Sequence, residues 1–124
     1  MQFLLLVYTD EALLGKLPAA EYDAKMRHCL QHADAMQADG CLLGFQQLAP
    51  TTSARSVRVR GAHTSILDGP FAETKEVLAG FNLVEAESLE DAVRMAQEFP
   101  WVHYGCIEVR PVRDVAAVRA RVGA

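Results

Sequence analysis

A chain of 124 residues is the size of one domain, long enough to bury a core without metal or disulfide staples. About half of it is hydrophobic (51%), as in ordinary globular proteins, and its net charge of −4 excludes nucleic acid and anionic membrane surfaces as partners. Three separated cysteines, Cys29, Cys41 and Cys106, form no CxxC or Cys/His cluster, which excludes a zinc site or disulfide framework and suits reduced thiols in a cytoplasmic protein.

The chain opens on QFLLLVY (residues 2–8), a continuous apolar run. Such a run predicts a strand covered on both faces. It is too short for a signal h-region or a bilayer span, and no basic stretch precedes it. Thr9 to Pro18 is expected to be a loop. From Ala19 to Asp39, Tyr22, Met26, Cys29, Leu30, Ala33 and Met36 recur at spacings of three and four, which predicts a helix stopped by Gly40. CLLGFQQL (41–48) predicts a strand ending at Ala49-Pro50, and TTSA (51–54) a turn. SVRVR (56–60) alternates and, with a turn at Gly61-Ala62 and HTSIL (63–67), predicts a hairpin. Arg55, Arg58 and Arg60 are expected on its solvated face.

VLAGFNLVEA (77–86) is a long strand in which Gly80 marks a bulge or a close backbone approach. Ser88 caps a second helix, with Asp91 in place of the usual capping-box Glu. Its apolar stripe is Leu89, Ala92, Val93, Ala96 and Phe99, and Pro100 stops it. YGCIEVRPV (104–112) is the last strand, with Ile107 and Val109 on one face and Cys106, Glu108 and Arg110 on the other. Asp114 to Val122 predicts a terminal helix, capped by Asp114 and stopped by Gly123.

The order β-α-β-β-β-β-α-β has no repeat or linker, so one domain spans 1–112 and a tail spans 113–124. It predicts an α+β fold, a ferredoxin-like antiparallel sheet with two helices on one face and an extra hairpin inserted. Two helices cover only one face. Yet residues 2–8 and 77–86 are apolar on both: Phe3, Leu5 and Val7 against Leu4, Leu6 and Tyr8, and Phe81 and Leu83 against Leu78 and Val84. A second copy of the same sheet is the expected cover, hence a homodimer.

The residues able to do chemistry each admit two readings. Asp68, before Gly69-Pro70, either starts a turn or acts at a strand end as a general base, which requires partial burial. Glu73, Lys75 and Glu76 form a solvated charge run. Alternatively, Lys75 and the free N–H groups after Pro70 bind a ligand's carboxylate or phosphate, with Phe71 as a neighbouring contact. His28 and His32 lie one helical turn apart, a spacing that can hold a metal. Without a third ligand nearby they are expected on the solvated side, beside Lys25 and Asp39, and no metal is expected. His63 opens a hairpin strand and is expected to be exposed. Trp101, His103 and Tyr104 cluster at the start of the last strand. Either the aromatics are core, or they wall an apolar pocket with His103 as its polar group and Tyr8 as a further lining residue.

The stretch DGPFAETKEVLAGF (68–81), with SLEDAVRMA (88–96) and EVRPV (108–112), resembles the DGPF branch of the YCII-related family over Met1 to Val112. The resemblance implies a dimeric α+β barrel in which two ferredoxin-like sheets pack face to face and small organic molecules bind between sheet and helices. The wider superfamily includes isomerases, monooxygenases and dehydrochlorinases that work through a positioned acid–base pair. The DGPF branch is mostly without an assigned reaction, and several of its members resemble companions of alternative sigma factors, which leaves a regulatory role open. The family's dyad, a His on the first helix and an Asp in Asp-Pro-Phe after the second, falls on His28 (or, shifted by one, Cys29) and on Phe99-Pro100-Trp101. The Asp is thus Phe99 here, and Asp68 is the carboxylate left to replace it. Two functions stay open. One is a cytoplasmic homodimeric module, with a regulatory role left open by that resemblance, binding a small organic ligand through Tyr8, Phe71, Lys75 and Trp101. The other is an isomerase- or lyase-like enzyme acting on a small organic acid or lactone through Asp68 with His28 or His103. Neither needs a cofactor.

Overall fold

The computed structural model describes residues 1–124. Strand β1 (Gln2–Thr9) is followed by a short helix α1 (Glu11–Gly15) and a long one, α2 (Ala19–Ala38). After β2 (Leu42–Gln47) come the hairpin strands β3 (Arg55–Arg60) and β4 (His63–Asp68). Then follow β5 (Val77–Glu85), α3 (Leu89–Gln97), β6 (Gly105–Pro111) and α4 (Val115–Val122). Four strands form one antiparallel sheet in the order β2-β5-β1-β6, while β3 and β4 form a separate two-stranded sheet. Because β5 lies between β2 and β1, the β1-α2-β2 unit is split, which is the ferredoxin-like arrangement expected from the element order. No helix is long and apolar enough to cross a membrane.

Side-chain alternation along β1 decides where the core sits. Phe3, Leu5, Val7 and Thr9 are buried, whereas Leu4, Leu6 and Tyr8 on the other face are only half-buried. The buried apolar set meets Cys29, Ala33 and Met36 of α2, Ala92 and Ala96 of α3, and Phe99 and Trp101 just beyond α3. Phe99, Leu5 and Val84 are fully enclosed, each contributing roughly 1.5–3 kcal/mol. Leu89 and Val93, expected in the buried stripe of α3, are exposed, because that helix meets the sheet through its small side chains Ala92 and Ala96.

Three backbone features depart from the sequence expectations. The expected loop from Thr9 to Pro18 contains α1, which Asp10 starts: its carboxylate accepts the N–H of Ala12 at 3.0 Å and of Leu13 at 3.1 Å. A single helical turn shows no periodic apolar face, so spacing cannot reveal it. Second, the β1–β5 register slips between Val7, opposite Gly80, and Tyr8, opposite Leu78, leaving Ala79 as the extra residue of a bulge. This bears out the bulge expected around Gly80, but it also turns Leu78 onto the face of Phe81 and Leu83 rather than the face of Val84. Third, Pro100–Tyr104 is a 3-10 turn, so the last strand begins at Gly105, not Tyr104. A Cβ at Gly105 would overlap the carbonyl oxygen of Tyr8, and only glycine lets β6 start so close to β1.

Helix ends follow their capping residues. Ser88 Oγ accepts from the Asp91 N–H at 3.1 Å, and Asp114 accepts from the Ala117 N–H at 3.1 Å. Gly123 closes α4 in the left-handed region. The carboxylate of Asp91 pairs with Arg94 instead of reaching back to Ser88, so only half of a capping box forms.

The hairpin stands as an arm. Val57, Val59 and Ile66 share one of its faces and are all more than half exposed. Arg58 and Arg60 lie on the other face. Arg55, an odd step away, falls with the valines instead of with the other two arginines. It pairs across the arm's base with Asp68, Nε to Oδ1 at 3.0 Å. Gly69 N–H to the Ala54 carbonyl and Ser56 Oγ to the Gly69 carbonyl, both 2.8 Å, close the same base.

Gly105→Ala is expected to lower stability by roughly 1–3 kcal/mol, read as a lower urea midpoint, since the added methyl must push β6 from β1. Gly15→Ala, whose Cβ would meet nothing within 4 Å, is the control and should leave the midpoint unchanged or raised.

Candidate functional site

Between α2 and the helix-covered face of the sheet lies a cavity of about 120 Å³. Tyr22, Met26 and Cys29, spaced by four and three, form its α2 wall. Thr9 of β1 and Asn82 of β5 form its floor, and Phe99 with Trp101 closes one end. Gly80 lies beside Asn82 in that floor. A Cβ there would stand 2.6 Å from the Gln46 carbonyl oxygen, so its absence lets β2 run against β5 along the cavity's edge.

The walls are aromatic and aliphatic. The Tyr22 and Trp101 rings lie 5.8 Å apart, tilted by 38°. Trp101 Nε1–H donates to Cys29 Sγ at 3.3 Å. Burial pushes the Cys29 thiol up, against a smaller downward pull from that indole N–H, so the sulfur stays protonated at neutral pH. Apart from Cys29 and Tyr22, no side chain lining the cavity can ionise. Thr9 and Asn82 are only 3% and 7% exposed, and neither side chain has a hydrogen-bonding partner in the protein; their polar atoms open on the cavity. No three His, Cys, Asp or Glu residues stand together so as to hold a metal ion.

The residues singled out from the sequence are dispersed. Trp101 lines the cavity. Tyr8 lies on the opposite, open face of the sheet, across from Leu78 and Cys106. Asp68 ends β4 with its side chain 88% exposed, held by Arg55. Phe71 is 74% exposed. Lys75 points to the Asp10 carboxylate at 3.9 Å, in a surface depression beside α1. His28 is exposed on α2, its ring parallel to that of His32 at 6.4 Å. His32, expected on the solvated side, is instead half-buried edge-on against Phe99 at 5.3 Å, because the end of α3 covers it. Its Nε2 is 3.3 Å from the Glu98 carboxylate, without hydrogen-bond alignment. His103 is exposed on the 3-10 turn, and none of Asp68, His28 and His103 lines the cavity. Spacing placed Cys29 only on the apolar stripe of the first helix and did not single out Thr9 or Asn82. Of these two, Asn82 carried a readable signal, a lone amide inside the apolar run VLAGFNLV.

Residues 1–116 match the YCII-related domain. The chain belongs to the YCII-related family. A protein of Rhizobium meliloti (strain 1021), described only as uncharacterized, is 34% identical over 114 residues, spanning 90% of this chain and 92% of its own. Among solved structures, the 5-chloro-2-hydroxyhydroquinone dehydrochlorinase TftG of Burkholderia phenoliruptrix, in complex with 2,5-dihydroxybenzoquinone, superposes with a TM-score of 0.52 at 15% identity. The superposition covers 91% of this chain and 94% of that one. At such low identity the likeness speaks to the fold, the α+β arrangement of YCII-related proteins.

The thiols give a test of the cavity's enclosure. Cys106 is exposed, its thiol pushed up by desolvation first and by the Glu76 carboxylate second, while Cys29 is buried. A disulfide reagent is expected to titrate Cys106 slowly in the folded protein and to reach Cys29 only in denaturant. Because folding raises the Cys29 thiol, its contribution is fully present below the range where free thiols ionise, about pH 8.5. Above it the unfolded chain ionises first, so stability falls as pH rises. Urea midpoints across that range should fall less steeply in Cys29→Ala than in the native protein.

Proposed function

We propose that this protein is a cytoplasmic homodimeric module that binds one small organic molecule in the cavity of each subunit, with a regulatory output. One observation carries the reading: the cavity has aromatic and aliphatic walls, two unpartnered polar groups in its floor, and no carboxylate, imidazole or ammonium. Such a lining can hold and orient a ligand, but it offers no side chain suited to shuttle a proton at neutral pH. The fold shared with a dehydrochlorinase supports a second reading, an acid–base enzyme with Asp68 and His28 or His103 as its pair. The open sheet face, with Leu4, Leu6, Phe81, Leu83 and the bulge-turned Leu78, supports the homodimer. Free thiols at all three cysteines support a reducing compartment.

Trp101 is the chain's only tryptophan, so its emission reports cavity occupancy without a label. In a panel of ring-sized organic compounds, at least one is expected to change that emission saturably. Ala33→Leu, which extends a side chain from the α2 wall into the cavity, should abolish the response while the protein stays folded. NMR of each binder should show no turnover; turnover that disappears in Asp68→Asn would favour the enzyme. Light scattering should give twice the chain mass, and Leu6→Arg, on the open face, a monomer. A monomeric native protein at micromolar concentration would defeat the dimer.

A further inference from the structure

The floor of the cavity has a specific chemical demand. The other buried charged side chain, Asp10, 8% exposed, accepts two backbone N–H groups. Thr9 and Asn82 are as deeply placed and carry a hydroxyl and an amide with no protein partner. Both groups reach the half-open cavity, so a ligand that displaces water from it must hydrogen-bond to them or leave each unsatisfied, at a cost of about 1–3 kcal/mol. Of the other donors in the lining, the Trp101 indole N–H is committed to Cys29 and the Gln47 amide nitrogen lies 3.2 Å from Met26 Sδ, while the Tyr22 hydroxyl and the exposed Gln46 amide lie in the walls rather than the floor.

Size and charge narrow the occupant further. About 120 Å³ is close to the ~150 Å³ known to admit a benzene ring, and Tyr22, Trp101 and Phe99 offer aromatic surface to stack against one. A charged ligand would find no opposite charge among the lining residues and would be buried unpaired, at a cost of several kcal/mol. Resting on the binding reading above, we infer that the cavity selects an uncharged, single-ring compound bearing oxygen substituents, with Asn82 and Thr9 hydrogen-bonding to those oxygens. Asn82 can both donate and accept, and the Thr9 hydroxyl can turn to do either, so phenolic and carbonyl oxygens are both served.

The test uses the full-length protein and Trp101 emission, confirmed by ligand-observed NMR, with phenol, benzene and benzoate as probes. Phenol is expected to bind about ten-fold more tightly than benzene, the worth of a hydrogen bond inside the cavity, and benzoate about a hundred-fold more weakly than phenol. Asn82→Leu should erase the preference of phenol over benzene while leaving benzene binding intact or improved. Thr9→Val, which keeps the side chain's shape, supplies the same readout should the leucine variant fail to fold. Benzene binding as well as phenol, or benzoate binding best, overturns the inference but leaves the cavity a binding site. No response to any of the three probes overturns both.

Discussion

The alternation of β1 is the constraint from which the remaining structure follows. Its residues Phe3, Leu5 and Val7 are taken up by α2 and α3, and those between them, Leu4, Leu6 and Tyr8, are equally apolar but have no helix over them. A sheet with one solvated face ordinarily alternates apolar with polar side chains. This one does not, and the neighbouring strand repeats the pattern. The bulge at Ala79 even brings Leu78 to the uncovered side, in line with Phe81 and Leu83. The same irregularity sets Gly80 opposite Val7 on the covered side, beside the cavity floor. One extra residue therefore shapes both faces: an apolar surface on one, a small space on the other.

That space survives because of what lines it. Filling it would need a larger side chain at Ala33 or a different residue at Gly80, where a Cβ collides with the backbone of β2. What lies in the floor is polar yet neutral, and the charged groups of the fold are disposed elsewhere. Lys75 faces Asp10, Arg55 holds Asp68, and Glu98 stands by His32. The separation has a simple electrostatic basis, since each of these groups has a partner or lies at the surface, while a charge in the cavity would lose hydration with no opposite charge to replace it. Hydrogen bonding and shape are the means of recognition left to such a lining.

The most recognisable segment of the chain, DGPFAETKE, lies at a corner. Gly69 turns the chain with φ at 89°, the Thr74 hydroxyl bonds to the Glu76 carbonyl at 2.7 Å, and Lys75 reaches toward α1. These contacts hold the corner that carries the chain from the arm, past α1, to the start of β5. A conspicuous motif thus marks a junction, whereas the cavity is built from residues that are individually unremarkable in sequence.

Much of the fold was legible without coordinates, because strands, the two long helices and their caps are governed by near-neighbour chemistry: Ser88, Asp114 and Gly123 do what their side chains or backbone freedom allow wherever they occur. The split arrangement followed from element order, and the doubly apolar strands were evident in QFLLLVY and VLAGFNLVEA. Features that depend on distant partners were not legible. The face of Leu78 turns on a register slip against β1, the burial of His32 on where α3 ends, and the location of Asp68 on an arm that forms its own sheet. The cavity is the extreme case. Thr9, Cys29, Asn82 and Trp101 stand far apart in the chain, and only the packing of α2 across β1 and β5 gathers them, since empty space is a property of surfaces that fail to meet and no run of neighbouring residues encodes it.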